Sequence, residues 1–358
     1  MSDDEALRSP LRQWLADHNP EMLGLEVGAI EQPKSGFSAK TIFVPISYQR
    51  EGRNVEDKLV VRLENPEPAI YPRQAPDLEV EIDTQYRSME ALIETGLLPL
   101  APVHGYEPDA SILGHPFFVM GFVDGDVMIE HPAYTQEGFF VEATPADRET
   151  MIANAVHAMA DFHRVDWRKA GFEWLVAPGE EPDLLRQIGL WQAMAERELA
   201  GRKHPDLDRG FRFLDDHLPK GLTPGLSWGD SRPGNIIFRD NKCACLTDFE
   251  NIAIAPVEID LGYWLLFDRS MHEAVEAKRL PGEPTREEQR AIYADRSGKP
   301  VGDTYYHEIF GAVRYSTVVI RVMNRLVARG DLSADQPIWL HNPAATALSQ
   351  LLEKSAGG

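Results

Sequence analysis

The chain has 358 residues, 43% hydrophobic and 26% charged, with a formal net charge of −21. This length suggests about two domains with ample core, and the composition is that of a soluble globular protein. No apolar run approaches the roughly 18 residues of a bilayer span, and so acidic a surface repels phosphate backbones and anionic membranes, arguing against nucleic acid or membrane as partner.

The first residues, MSDDEALRSP, are acidic and carry no apolar signal region, so a cytoplasmic protein is expected. Ala6 to Asp17 reads as an amphipathic helix with Leu7, Leu11, Trp14 and Leu15 on one face. Between Gln32 and Val44 a small-residue turn (Ser35, Gly36, Ser38) leads into a β-rich run. That turn is either an ordinary hairpin turn or a loop whose N–H groups face nucleotide phosphates. KLVVRL, Lys58 to Leu63, reads as a strand with one cation, Arg62. Such a cation either ends a surface strand or binds phosphates. Four prolines between Asn65 and Pro76 predict an exposed loop.

Leu78 to Glu94 reads as a helix with Leu78, Ile82, Tyr86, Met89 and Ile93 on one stripe. Gln85 lies about 60° from the stripe's centre at 100° per residue, within reach of a role orienting Arg62. Glu81 reads as a solvated flank. FFVMGFVDGD, Phe117 to Asp126, is a buried strand that breaks at Asp124-Gly125, which suits a connection between lobes.

Beyond Pro145 the texture is helical: Met151 to His163, Leu184 to Glu198, Asp208 to His217, Pro281 to Gly298 and Tyr305 to Arg329. His163, at a helix end, reads as a residue packed beneath a functional loop. Glu196, Glu198, Asp215 and Asp216 are expected mostly on solvated faces, with a few available to line an acceptor site. Between these helices lies LSWGDSRPGNIIFRDNKCACLTDFE, Leu226 to Glu250. IIF, a polar turn and CACLT make a short hairpin. The hairpin converges Asp230, Asn235 and Asp248 on one spot, the order in which kinases carry a base and two magnesium ligands. Cys243 and Cys245 share one strand, poorly placed for a disulfide, and read as small buried hydrophobes. Asp260, opening an apolar helix, suits a helix cap or a brace for the Asp230 loop.

These stretches together resemble the aminoglycoside phosphotransferase superfamily of small-molecule kinases. Within it the likeness is greatest to phosphotransferase-type domains related to those fused to acyl-CoA dehydrogenases. WGDSRPGN followed by TDFE is the specific part; SGFSAKT, VVRLE, QYRSMEAL and GHPFFVMGFVDG precede it in that order. The resemblance implies an α+β, two-lobed protein-kinase-like fold. Residues 1–123 would form a β-rich nucleotide-binding lobe with a leading helix, and 124–358 a mainly helical lobe. It implies ATP and Mg²⁺ as cofactors and a small-molecule hydroxyl as acceptor. Asp230 would be the catalytic base, with Arg232 beside the γ-phosphate and Asn235 and Asp248 as magnesium ligands. Ser35, Gly36, Phe37, Ser38, Arg62, Gln85, Met120, Gly121 and Val123 would line the nucleotide. Three positions depart from the pattern. Trp228 stands where histidine is usual, Gln85 where glutamate is common, and the phosphate loop lacks a double glycine. These departures motivate a competing expectation, a catalytically silent nucleotide-binding module. A metal-dependent hydrolase is a third, disfavoured by the absence of a histidine ligand pair. The acceptor stays open among aminoglycosides, amino alcohols, sugars and hydroxyacyl compounds, and oligomeric state is not readable.

Overall fold

The computed structural model describes residues 3–31 and 39–356, with side chains from 7 to 354. Helix α1 (Asp3–His18) leads into strands β1 (Leu23–Val27), β2 (Lys40–Arg50) and β3 (Arg53–Leu63). Helix α2 (Glu81–Thr95), β4 (Val103–Glu107) and β5 (Phe117–Gly121) complete this part. The strands form one sheet in the order β1-β2-β3-β5-β4, with every pairing antiparallel. Alternation along β2 buries Ile42, Val44, Ile46 and Tyr48. Helix α1 closes one side of the sheet. Trp14 meets Phe117 edge-on at 4.9 Å, and its indole donates to Glu107 at 2.8 Å.

Helix α2 starts three residues later than the apolar stripe predicts. Its cap comes from a distance: the Glu64 carboxylate accepts the N–H groups of Glu81 and Ile82 at 3.3 and 3.0 Å. Of the predicted stripe, Ile82 and Met89 are buried and Leu78 is buried ahead of the helix, but Tyr86 is half-buried and Ile93 exposed; the buried face runs instead through Gln85, Ser88 and Leu92. Glu81 is not a solvated flank; its carboxylate accepts the Ile70 N–H at 3.0 Å.

After β5 the chain crosses through β6 (Asp126–Val127) into the helical part. This comprises α3 (Phe139–Glu142), α4 (Pro145–Phe162), α5 (Leu184–Leu199) and α6 (Pro205–Asp216). Strand β7 (Pro224–Ser227), the hairpin β8 (Ile236–Arg239) and β9 (Lys242–Leu246), and β10 (Ala253–Pro256) come next. Helices α7 (Glu258–Ser270), α8 (Arg286–Ser297), α9 (Tyr305–Arg329) and α10 (Pro343–Ala356) finish the fold. Helix α4 begins before the apolar pattern because Thr144 caps it, accepting the Asp147 N–H, with Pro145 in the first turn. The chain is therefore α+β: an antiparallel sheet with two helices, then a helical part carrying two small strand groups. No described helix is long and apolar enough to cross a membrane.

Helices α7 and α9 form the buried centre of the helical part, and they touch at Gly262. A Cβ there would sit 2.4 Å from the His307 Cβ and 2.5 Å from its carbonyl carbon. Only a residue without a side chain allows that crossing distance. Gly262→Ala should lower unfolding stability by about 1–3 kcal/mol through overpacking. Urea unfolding checks this, and an unchanged midpoint would mean that the two helices separate without cost.

Candidate active site

The predicted hairpin forms, and the loops at its two ends meet below the sheet. What holds the first loop is Asp260, wholly buried at the start of α7. Its carboxylate accepts Ser227 Oγ at 3.0 Å, Trp228 N–H at 2.7 Å and Gly229 N–H at 2.9 Å. His163 Nε2 makes a fourth contact at 2.9 Å, with its Nδ1 on Tyr293 Oη at 2.7 Å. His163 thus lies beneath the loop, as expected. Burial alone would raise the Asp260 pKa, but the His163 hydrogen bond and charge, Arg314 and the backbone donors outweigh it and hold the carboxyl below its ordinary value.

Gly229 is required twice. Its φ is +86°, and a Cβ would lie 1.8 Å from the Asn251 carbonyl oxygen. Its own carbonyl accepts from Asn251 Nδ2 at 2.9 Å and from the buried Arg314. Trp228 fills the position where histidine is usual. It packs against Phe162 and Phe249, and its indole donates to Thr247 O at 3.0 Å, tying the two loops together.

Asp230 therefore arrives in a fixed pose. Its Oδ2 accepts from Asn235 Nδ2 at 2.7 Å, Arg232 Nε at 3.0 Å and Tyr71 Oη at 3.2 Å. Its Oδ1 has no partner among the described residues. Asn235 directs its amide nitrogen at Asp230 Oδ2 and, at 2.9 Å, at the Asp230 carbonyl, so its amide oxygen remains available to a cation. Arg232 also pairs with Glu130. Burial opposes the Arg232 charge, but Asp230 and Glu130 raise its pKa well above the ordinary value. Burial first, and then the Asp230 charge, push the Tyr71 phenol well above its ordinary value, so it stays protonated and donates.

Asp248 adopts a φ of +62° and meets Arg62 Nη2 at 3.3 Å. The same nitrogen donates to Glu250 at 2.8 Å, and Gln85 Nε2 reaches Glu250 at 2.5 Å. Gln85 thus bonds Glu250 rather than orienting Arg62 directly. The carboxylate that α2 lacks comes instead from Glu250, two residues past Asp248. Glu250, Tyr71 and Glu130 were all missed as site residues. Glu250 stands in the TDFE motif, where its charge was a signal; the other two lie far away in sequence with nothing to mark them.

Two cavities converge here. One of about 360 Å³ lies between the sheet and the hairpin and is lined by Val60, Met89, Met120, Gly121, Val123 and Leu246, with Arg62, Gln85 and Asp248 at one end. The Val123 N–H has no partner among the described residues. The other, about 610 Å³, contains Asp230 and Arg232 and is walled by Ile70, Phe267, Tyr315, Val318, Val322 and Met323. Thr41, Arg62 and Asp248 line both. The predicted phosphate-loop residues Ser35, Gly36, Phe37 and Ser38 lie outside the described residues. Glu196, Glu198, Asp215 and Asp216 line neither cavity; Glu198 instead joins α5 to Arg321 on α9 at 3.1 Å. Cys243 and Cys245 are free, with burial raising their thiols to about 12 and about 11.

A family model described as the phosphotransferase enzyme family matches residues 30–298. The chain is 25% identical over 257 residues to mouse acyl-CoA dehydrogenase family member 10, covering 68% of this chain and 23% of that protein. The chain thus spans about a quarter of that relative's length. Among solved structures, a Ralstonia eutropha protein provisionally named an aminoglycoside phosphotransferase superposes with a TM-score of 0.71 at 23% identity, covering 97% of this chain and 98% of that one. A mutant aminoglycoside phosphotransferase in ternary complex with AMP-PNP and hygromycin B superposes with a TM-score of 0.57 at 10% identity, covering 98% and 100%. The fold is thus kinase-like.

Replacing Asp260 would strand its buried donors. Asp260→Ala should cost about 3 kcal/mol or more. Because the folded pKa is depressed, the Asp260 contribution is full above the unfolded value of about 3.9 and is lost as pH falls through the lower folded value. Urea unfolding from about pH 7 down to about pH 2 should show this acid loss in the parent and a smaller one in the variant. Parallel curves would remove Asp260 from that role.

Proposed function

We propose for this chain, which belongs to the phosphotransferase enzyme family, the transfer of the γ-phosphate of ATP to a hydroxyl of a small molecule. The state of Asp230 carries this reading. Three donors fix one carboxylate oxygen, the other has no partner among the described residues, and Asp230 lines a cavity of about 610 Å³. A base that must align an incoming hydroxyl needs both properties, a fixed pose and an open oxygen.

The slot beneath β5 suits a nucleobase: apolar walls and a backbone N–H at Val123 with no partner among the described residues. Arg62, held at its mouth by Asp248 and Glu250, would face the α- and β-phosphates, which a guanidinium can bind with two parallel hydrogen bonds. Arg232, beside Asp230, would stabilise charge on the transferring group. Asn235 and Asp248 would hold Mg²⁺: an amide oxygen and a carboxylate are hard donors, and a site completed by phosphates and water suits this ion. When bound, the ion offsets phosphate charge and polarises the phosphoryl group. The AMP-PNP complex of the solved relative supports a nucleotide as donor.

The acceptor reading follows from how charge is distributed. Glu130 and Asp230 share one arginine, Arg232, and Asp248 and Glu250 share another, Arg62, so four carboxylates meet two cations. Apart from Thr41 and His131, the rest of the wall is aromatic and aliphatic. The surplus of two negative charges suits a cation, whether Mg²⁺ or an amino group of the acceptor, and the apolar wall suits a hydroxylated molecule with a largely apolar body.

Asp230→Ala should abolish acceptor-dependent ADP release from a panel of sugars, amino alcohols and hydroxyacyl compounds. ATP affinity by calorimetry should stay within about twofold, since the base lies outside the nucleotide slot. Retained transfer would remove Asp230 as base. Binding without turnover on every compound would turn the reading to a silent nucleotide-binding module. Glu250→Gln should loosen Arg62 and weaken ATP binding by about tenfold, the equivalent of one charge-assisted hydrogen bond. An unchanged Kd would mean that Asp248 alone positions Arg62.

A further inference from the structure

The carbonyl of Gly229 belongs to the same planar peptide unit as the N–H of Asp230, so whatever grips that oxygen sets the plane from which the base departs. Two side chains grip it, Asn251 Nδ2 at 2.9 Å and Arg314 Nη2 from α9. Arg314 is 2% exposed, and its Nε and Nη1 have no hydrogen-bond partner among the described residues. Its guanidinium carbon lies instead over three rings, 4.7 Å from the centroid of Tyr263, 5.2 Å from that of Trp191 and 5.7 Å from that of Phe310. Ring faces attract a cation, but they do not replace the hydrogen bonds that water gives it. An uncharged side chain of similar size would fill the same space without that cost.

The rings show what the charge is tied to. Tyr263 lines the larger cavity; Phe267, one turn further along α7, lines it too, with ring centroids 5.0 Å apart. The Arg232 guanidinium rests over Phe267 at 5.7 Å. Gly229 before the base and Arg232 after it are thus both fastened to one aromatic layer. Arg232 sits on Phe267 directly, whereas Gly229 is joined to Tyr263 through Arg314. Asn251 ties Gly229 only to the loop that carries Asp248. Arg314 joins it to the cavity wall.

We propose that Arg314 is a positioning residue: holding the Gly229 carbonyl with Nη2 and the Tyr263 ring with its face, it registers Asp230 against the wall on which the acceptor rests. The inference rests on the phosphotransferase reading above and deepens it. Arg314 lines neither cavity, so it acts on transfer through the loop and the ring alone. A base misplaced by about 1 Å costs transfer up to about a hundredfold, and the nucleotide slot is left as it was.

ADP release from ATP with Mg²⁺ and the acceptor panel above is measured for the parent, Arg314→Met and Arg314→Lys, with Asp230→Ala as blank and urea unfolding alongside. Methionine fills the space without donor or charge; lysine keeps a charged donor that can also face the rings. In Arg314→Met, kcat should fall about ten- to a hundredfold with the KM for ATP within about twofold. Its urea midpoint should hold or rise, because a buried charge with unpaired donors is gone. Arg314→Lys should restore part of the lost kcat. Should the methionine variant not fold, Arg314→Gln, which keeps a donor without the charge, takes its place under the same criteria. An unchanged kcat overturns the inference, whatever the urea midpoint. So does an equal fall in the lysine and methionine variants, or a fall matched by a rise in the KM for ATP, which would mark a distorted cleft. If the parent shows no ADP release above the blank on any compound, the phosphotransferase reading itself fails and takes this inference with it.

Discussion

A buried carboxylate receiving three hydrogen bonds from one short loop is the constraint on which the cleft depends. Ser227, Trp228 and Gly229 leave β7 with donors that the pairing with β10 does not satisfy, and Asp260 takes them all. An ionised carboxylate in that interior would be prohibitively costly without such partners, and the N–H groups would be costly without an acceptor. Each side therefore makes the other tolerable. Because Asp260 opens α7 and His163 ends α4, the arrangement also fixes those two helices against the loop. The pose of Asp230 follows from that joint. The left-handed turn at Gly229, pinned from the other side by Asn251 and Arg314, leaves the next residue one direction to take.

Charge in the cleft is paired locally but not cancelled, since four carboxylates meet two guanidinium groups. Arg62 and Arg232 are each flanked by two carboxylates. The partner of Arg62 is the instructive case. A neutral amide on α2 hydrogen-bonds the carboxylate that neutralises the arginine, rather than the arginine itself. The charged contact then lies wholly between β3 and the loop after β9, so its geometry is set by the loop carrying Asp248 and less by the angle of α2.

Periodicity exposed the helices well, since α4, α5, α7 and α9 bury one face or both and their apolar residues recur accordingly. The hairpin at 236–246 was equally legible, because a polar turn separates two apolar runs. Ends were harder. The cap of α2 is a glutamate 17 residues away, and a long-range hydrogen bond leaves no local pattern. The site was legible where its residues are neighbours in the chain, as with Asp230, Arg232, Asn235 and Asp248. It was illegible where the fold imports a residue. Tyr71 lies 159 positions before Asp230 and Glu130 lies 102 before Arg232. Nothing about a tyrosine in a proline-rich run or a glutamate before a histidine distinguishes it. Of the acids of α5 and α6, Glu196, Asp215 and Asp216 are exposed as expected and Glu198 is buried. Composition cannot show that difference, because it does not say which way a helix turns a charge.

Two hollows with a common partition are not thermodynamically independent. Thr41, Arg62 and Asp248 face both the slot under β5 and the larger cavity by Asp230. Whatever reorients Arg62 from one side changes the field and shape met from the other. Such a shared wall is a coupling free energy, and linkage makes it symmetric: if filling the slot tightens the larger cavity for its guest by some factor, that guest tightens the slot by the same factor. The segment from β3 to α2 widens the partition, since it is continuous with the strand bearing Arg62 and fastened to α9, which lines the far wall. A molecule in either hollow would therefore meet a wall that a molecule in the other also touches.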